Sequence, residues 1–351
     1  MALLVAPLAT PASFAHLGAV ALLAIALAAC SDDSSGDDGG GASGGGSPSG
    51  TPGAGGAPSG NASNGSGASG GDSSGPGPGG GGSGPSSGGS GSGGGAVVPS
   101  AGCGKADPAS GDLTIDVGGQ TGQYVVSIPG DYDPTKPYPL GFAFHGFGRT
   151  GPNCQDGDCA GFQSTMENDA VLVYMTSHAG EGWDAFDAES AFFETVLDHM
   201  LDSYCIDEGH VFAAGTSSGA HFSNVLGCRF GDRLVAIAPV AGYLPETENC
   251  VDRVAALVIH GIDDPSFDNG VTARDFWRER NGCSEDTVPT ITDVHAGAEA
   301  TPESHGCAVY QGCDAGLPVT WCEHSEGGYD GSTHGWPLFG GQQIWEFVSA
   351  L

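Results

Sequence analysis

Basic residues are scarce in this chain. Nine Lys and Arg stand against 42 Asp and Glu in 351 residues, a formal net charge of −33. A surface that acidic repels polyanions, so nucleic acid and anionic lipid headgroups are poor partners and neutral substrates suit it better. None of the nine basic residues precedes Lys105. Five acids do (Asp32, Asp33, Asp37, Asp38 and Asp72), which leaves 37 acidic and nine basic residues, or −28, for the chain beyond residue 95. The spacings of a zinc knuckle or a CxxC redox motif are missing as well. Cys154-Gln-Asp-Gly-Asp-Cys159 has no histidine beside it, so a local disulfide is expected there and no metal.

Apolar runs of spanning length are also absent from the opening. Leu17–Ala29 is uncharged but only as long as the apolar part of an export signal, and it ends in Leu27-Ala28-Ala29-Cys30. That ending resembles a bacterial lipobox, in which the cysteine is lipidated, although no Lys or Arg precedes the apolar stretch. Residues 1–30 are therefore expected to be a leader, with Cys30 as the lipidation site and the chain secreted or held at the cell surface. Ser31–Gly95 is almost entirely Gly, Ser, Pro and Ala with a few Asp. It has nothing to bury, so residues 31–99 are expected to form a flexible tether with a reach of some tens of ångströms. Residues 100–351 are enough for a single α/β domain. Ten cysteines fall there, an even number that suggests up to five disulfides in an exported domain.

Within that domain Leu113–Val117 and Gln123–Ile128 alternate around a Gly-rich turn and predict a hairpin. Continuous apolar runs at Pro139–Phe144, Val171–Met175, Val211–Ala214, Leu234–Val240 and Ala255–His260 predict strands buried on both faces. Phe193, Val196, Leu197, Met200 and Leu201 repeat at helical spacing in Asp187–Tyr204 and mark one core-facing stripe. Helices are also predicted at Ser218–Phe230, Thr272–Arg280 and Gly341–Leu351, a loop at Ala241–Arg253, and a last strand at Pro318–Cys322. This alternation implies an α/β fold, a mostly parallel central sheet covered by helices on both faces.

Gly215-Thr216-Ser217-Ser218-Gly219 satisfies the GxSxG pattern. So do Gly41–Gly45 and Gly67–Gly71, but those lie in glycine-serine filler. Only the Ser217 copy has a strand before it and a helix after it, the context of a nucleophile elbow. A serine hydroxyl is a weak nucleophile and needs a base within reach and a group that orients the base. In the α/β-hydrolase arrangement these follow in the order Ser, Asp or Glu, His. Past the carboxyl end of the strand Ala255–His260 stand Asp263 and Asp264, either of which could be the orienting acid. His334, in a glycine-loosened loop ahead of the final helix, is the expected base; His305 and His324 are its competitors. Oxyanion donors are expected from the amide of Ser218 and from the loop His145-Gly-Phe-Gly148, at Phe147. His145 itself is expected to fix that loop.

Taken together, Ser100-Ala-Gly-Cys-Gly-Lys105, the elbow, His260-Gly-Ile-Asp-Asp-Pro265, Asn281-Gly-Cys283 and Tyr310-Gln-Gly-Cys313 resemble secreted feruloyl esterases. These belong to the broader esterase group that includes acetyl xylan esterases and polyhydroxybutyrate depolymerases. The resemblance implies an α/β-hydrolase fold stapled by disulfides, with Ser217, Asp264 and His334 in the triad positions. Two stretches depart from the pattern. His-Gly-Phe-Gly stands where those feruloyl esterases usually carry His-Trp-Leu-Gly, and His334-Gly-Trp-Pro337 is closer to the depolymerase branch. The expected function is a serine esterase that needs no metal or organic cofactor and acts as a monomer on an ester of plant polysaccharide. A polyester depolymerase, an acetyl xylan esterase and a tethered carbohydrate-binding protein with a vestigial site are the alternatives. Trp183 and Trp336 are candidates to stack on an aromatic acyl group or a sugar, although core packing is the role favoured for either.

Overall fold

The computed structural model of the chain describes residues 96–351 apart from 107, 160, 246, 249, 291–304 and 326–332. The expected leader, the lipidation site Cys30 and the glycine-serine stretch up to Gly95 lie outside the described residues. The chain enters through the hairpin β1 (Gly111–Val117) and β2 (Gln120–Ser127). Its turn uses Gly118 and Gly119 at φ 61° and 87°, the left-handed pair that a two-residue hairpin demands. Then follow β3 (Tyr138–Phe144), the single turn α1 (Gly151–Asn153), α2 (Phe162–Met166), β4 (Val171–Thr176) and α3 (Phe186–Ser203). The second half runs β5 (Ile206–Thr216), α4 (Ser218–Arg229), β6 (Ala236–Val240), β7 (Ala255–Gly261), α5 (Phe267–Arg280), β8 (Thr287–Thr290), β9 (His305–Tyr310), β10 (Val319–His324) and α6 (Gly340–Val348).

All ten strands form one sheet in the order β1-β2-β4-β3-β5-β6-β7-β10-β9-β8. The six from β4 to β10 are parallel, and the antiparallel pairs lie at the two edges. The register sets Phe144 beside Gly215, Thr216 beside Val240 and Val240 beside Ile259. The carboxyl ends of β3, β5, β6 and β7 are therefore level, and the loops leaving them gather at one rim, where α/β sheets carry their sites.

Each face of the sheet has its own core. Phe142 and Phe144 pack with Phe193, Val196 and Met200 of α3 and Phe222 of α4. Ala143, on the opposite face, shares a cluster with Phe162 and Met166 of α2 and with Ile344 and Val348 of α6. Alternate residues of one strand thus feed opposite layers, which is why the central strands read as unbroken apolar runs. On α3 the predicted stripe is buried at Phe193, Val196, Leu197 and Met200, while Leu201 is half-buried; Glu189 and Phe192 widen the buried face.

The ten cysteines pair as Cys103–Cys205, Cys154–Cys159, Cys228–Cys250, Cys283–Cys313 and Cys307–Cys322. The local loop at 154–159 is the one that spacing predicted. Strands β8 and β9 were not foreseen. β8 is exposed along its length and holds Pro289, a composition tolerated at a sheet edge and weak as a strand signal. Strand β5 begins five residues earlier than the apolar run. Its polar start is tied down by Asp207, which accepts from the Val98 amide at 2.9 Å and pairs with His210 Nδ1 at 2.8 Å.

Candidate active site

Strand β5 ends at Thr216, helix α4 begins at Ser218, and Ser217 is the corner between them. Its φ of 52° and ψ of −117° lie where side-chain-bearing residues are strained, by about 1–3 kcal/mol. The flanking glycines are required by contact. A Cβ on Gly215 would run into the Gly219 carbonyl, and one on Gly219 into the Phe144 carbonyl. The Ser217 amide is anchored on Val240 O at 2.9 Å. With the backbone so committed, the Ser217 hydroxyl is presented at the sheet rim, within reach of His334.

Two other loops meet it there. His334 Nε2 lies 2.9 Å from Ser217 Oγ, across 117 residues of chain. The other ring nitrogen, Nδ1, lies 2.7 Å from Asp264 Oδ2. The backbone of the His334 loop rests on the end of β7, where a Cβ on Gly261 would strike the Thr333 carbonyl. Asp264 Oδ1 accepts from the Ser266 amide at 2.7 Å and the Ser266 hydroxyl at 2.8 Å. Burial pushes the Asp264 carboxyl up, but the hydrogen bonds from Ser266 and His334 outweigh it and hold the group below the ordinary carboxylate range. A carboxylate, an imidazole and a hydroxyl in line are the parts of a charge-supported nucleophile. Of the two aspartates left open by position, Asp264 is buried in this contact and Asp263 is exposed. His324 is buried at the end of β10, edge-on to Phe339 at 5.7 Å. The side chain of His305 is outside the described residues.

The loop after β3 carries the second group of interest. His145 is fully buried; its Nδ1–H donates to Gly146 O at 2.7 Å and its Nε2 accepts from the Ser177 amide at 3.1 Å. It fixes the loop, and burial lowers its pKa. Gly148 donates its amide to Glu181 O at 2.7 Å. Among the described residues, the amides of Phe147 and Ser218 donate to no backbone carbonyl, and Ser218 stands at the first turn of α4, where amides point outward. Behind both runs the segment 177–183. Trp183 donates its amide to Ser218 Oγ and its indole Nε1–H to His145 O, each at 2.9 Å. Gly182 is packed so closely that a Cβ would crowd Ser218 Oγ and the Phe147 ring.

Two expectations are corrected here. Trp183 and Trp336 are 0 % and 1 % exposed, so neither can offer a face to an acyl ring or a sugar. Trp183 stacks on Phe222 at 5.1 Å and Trp336 packs edge-on to Phe162 at 5.9 Å, both inside the cores. Among the described residues, the exposed aromatics at the rim are Phe147 after β3 and Tyr243 after β6, 62 % and 37 % exposed. Tyr243 lies against the His221 ring at 3.8 Å, one turn along α4 from Ser217. Burial, with the neighbouring His334 adding to it, pulls the His221 pKa down to about 4, so that ring is uncharged at neutral pH. Sequence reading passed over Tyr243 and His221 because neither belongs to a motif. Ser266 was discoverable: a serine two residues past an aspartate is a common partner for it.

Among the described residues there is no group of three or more His, Cys, Asp or Glu placed to hold a metal ion, and no helix is long and apolar enough to cross a membrane. No family model matches the chain. It is 30 % identical over 264 residues to feruloyl esterase C of Emericella nidulans, an alignment covering 72 % of this chain and 91 % of that protein. Probable feruloyl esterase C of Aspergillus terreus is 28 % identical over 263 residues, covering 71 % and 91 %. Among solved structures, an acetyl xylan esterase from Aspergillus awamori matches with a TM-score of 0.52 at 15 % identity, over 69 % of this chain and 100 % of that one. That likeness shows a shared α/β-hydrolase fold.

Proposed function

The chain belongs to the feruloyl esterase family and is a carboxylic ester hydrolase, and from that premise we propose that Ser217, His334 and Asp264 are its catalytic triad and that it releases hydroxycinnamic acids from esters on plant cell-wall polysaccharide. Ser217 Oγ attacks the ester carbonyl while His334 Nε2 takes its proton, and His334 then passes that proton to the leaving alcohol oxygen. Asp264 holds Nδ1 protonated, so that Nε2 is the lone pair facing the hydroxyl. The tetrahedral oxygen sits between the amides of Phe147 and Ser218. Water, activated by the same imidazole, attacks the acyl-enzyme and returns the serine with the free acid. Among the described residues, the rings of Phe147 and Tyr243 are exposed aromatic surfaces available to the acyl group.

Export belongs to the same proposal. A leader over residues 1–30, with lipid on Cys30, would anchor the chain, and the tether to residue 99 would give the catalytic domain a reach of about 40–50 Å toward an insoluble substrate. The domain acts as a monomer on neutral polymer, away from nucleic acid.

The observation that carries the reading is the Ser217–His334–Asp264 relay at 2.9 and 2.7 Å. The test is hydrolysis of methyl ferulate beside p-nitrophenyl acetate by the parent and by Ser217→Ala. The variant is expected to lose about 10⁶ in kcat, and a variant that kept most of its activity would refute the triad. Turnover of polyhydroxybutyrate film without turnover of methyl ferulate would select the polyester reading instead.

A further inference from the structure

Asp264 has a second imidazole on it. His260, the penultimate residue of β7, places Nε2 3.0 Å from Asp264 Oδ2, the same oxygen that His334 Nδ1 approaches at 2.7 Å. We propose that His260 is a positioning residue of this esterase, an Nε2–H donor that shares Asp264 Oδ2 with His334 and so fixes the carboxylate on which the base depends. The inference rests on the triad reading above and extends it to a fourth member.

The tautomer follows from the surroundings. Nε2 faces Asp264 Oδ2 and, at 3.3 Å, Ser266 Oγ, whose own hydrogen goes to Asp264 Oδ1. Both neighbours accept, so Nε2 carries the proton. Nδ1 is buried, has no hydrogen-bond partner among the described residues, and faces Gly270 of α5 so closely that a Cβ there would collide with it. A proton on Nδ1 would be a buried donor with nowhere to go. Burial pulls the His260 pKa down against the opposing pull of Asp264, in agreement with a ring that stays uncharged. Among the described residues, few charged or titratable groups stand around it. Asp264 and His334 are described above; Glu323, its register neighbour on β10, is exposed and sits 3.3 Å from the Trp321 indole nitrogen. From α5, Gly270 and the edge of Phe267, at 6.0 Å, approach the ring.

With four donors, the Asp264 carboxylate cannot rotate, and part of the Oδ2 charge is satisfied before His334 arrives. Removing the His260 donor would leave a freer and more strongly charged oxygen. That oxygen would hold the protonated form of the base more tightly, and the base would be released only at higher pH.

The experiment compares His260→Leu and His260→Gln with the parent and with Ser217→Ala on p-nitrophenyl acetate across pH 5–9. His260→Leu is expected to lose about tenfold to a hundredfold in kcat, the worth of one hydrogen bond to a charged group. KM should stay within about twofold of the parent, and the acid limb of the kcat/KM profile should move to higher pH. Gln, which still offers an N–H, should recover most of the loss. Parent-like kcat and an unmoved acid limb in the Leu variant, beside an inactive Ser217→Ala, would overturn the role of His260 while leaving the triad standing. An active Ser217→Ala would instead overturn the triad. Nitrogen-15 spectra of the histidine-labelled parent supply a readout that needs no variant to fold. They should show His260 in the Nε2–H form throughout pH 6–8, and an Nδ1–H or doubly protonated ring would refute the proposal.

Discussion

Glu189 is a carboxylate in the first turn of α3 with no exposure to solvent, and replacing it should damage both stability and catalysis. Its Oε1 accepts from the Ser177 hydroxyl at 2.9 Å, the Ala179 amide at 2.9 Å and the His178 amide at 3.2 Å, while Oε2 lies 3.1 Å from His178 Nδ1. Glu189→Ala strands these donors in the interior. Each buried donor left without an acceptor costs about 1–3 kcal/mol, and losing several at once should cost about 3–5 kcal/mol in all. For a domain of this size, at about 2–4 °C per kcal/mol, Tm should fall by about 6–20 °C. The same donors belong to the segment that braces the rim. Ser177 holds His145, Glu181 holds the Gly148 amide, and Trp183 holds Ser218 Oγ. A loosened segment lets the Phe147 amide drift from the oxyanion position proposed for it, where a lost donor costs about 10²–10³ in kcat. The assays are differential scanning fluorimetry and initial rates measured well below the new Tm, with KM determined separately. A Tm within about 2 °C of the parent and an unchanged kcat would refute the reasoning for both effects.

Three further outcomes follow from the same contacts. Gly182→Ala pushes a methyl toward Ser218 Oγ and the Phe147 ring, so kcat should fall while Tm holds; a fully active variant would mean the rim is not held at that point. Replacing Cys103 and Cys205 together by serine opens a link across 102 residues, worth about 4.7 kcal/mol in chain entropy, whereas the five-residue Cys154–Cys159 link is worth only about 2 kcal/mol. Thermal melts of the two double variants should rank in that order, and the reverse order would contradict it. His221 is held uncharged, with its pKa down from 6.5 to about 4. Its stabilising share is complete above the ordinary histidine value and is lost as pH falls from about 6.5 toward 4, since the unfolded chain takes up the proton first. The drop in Tm between pH 7 and pH 4 should therefore be smaller in His221→Gln than in the parent, and an equal or larger drop would refute the assignment.

The elbow could be found in the sequence because three demands coincide at Ser217: an apolar strand, glycines on both sides and a helix beyond. The two other GxSxG matches fail all but the second. His334 and Asp264 were recoverable from order and place, since an acid past the end of a buried strand and a histidine ahead of the last helix have few rivals. Residues that act through burial left less trace. Glu189 is one acid among many in an acidic chain, and nothing local says that it is the one turned inward. Trp336 stands two residues past His334 and Trp183 lies in the loop between β4 and α3, yet both are drawn into the cores by apolar partners on helices and strands, Phe144 and Phe222 for Trp183 and Phe162 for Trp336. Strands β8 and β9 are short edge pieces, one with a proline, and edges carry little of the periodicity that marks a core strand.

The central claim is that Ser217 is the hydroxyl that becomes acylated. Treating the protein with a chromogenic alkylphosphonate ester and mapping the adduct by peptide mass spectrometry tests it most directly. One equivalent of label on Ser217, formed in step with loss of esterase activity and absent from His334→Ala, is the predicted result. Full inactivation with the label on another residue would contradict it, as would retained activity after Ser217 has been labelled.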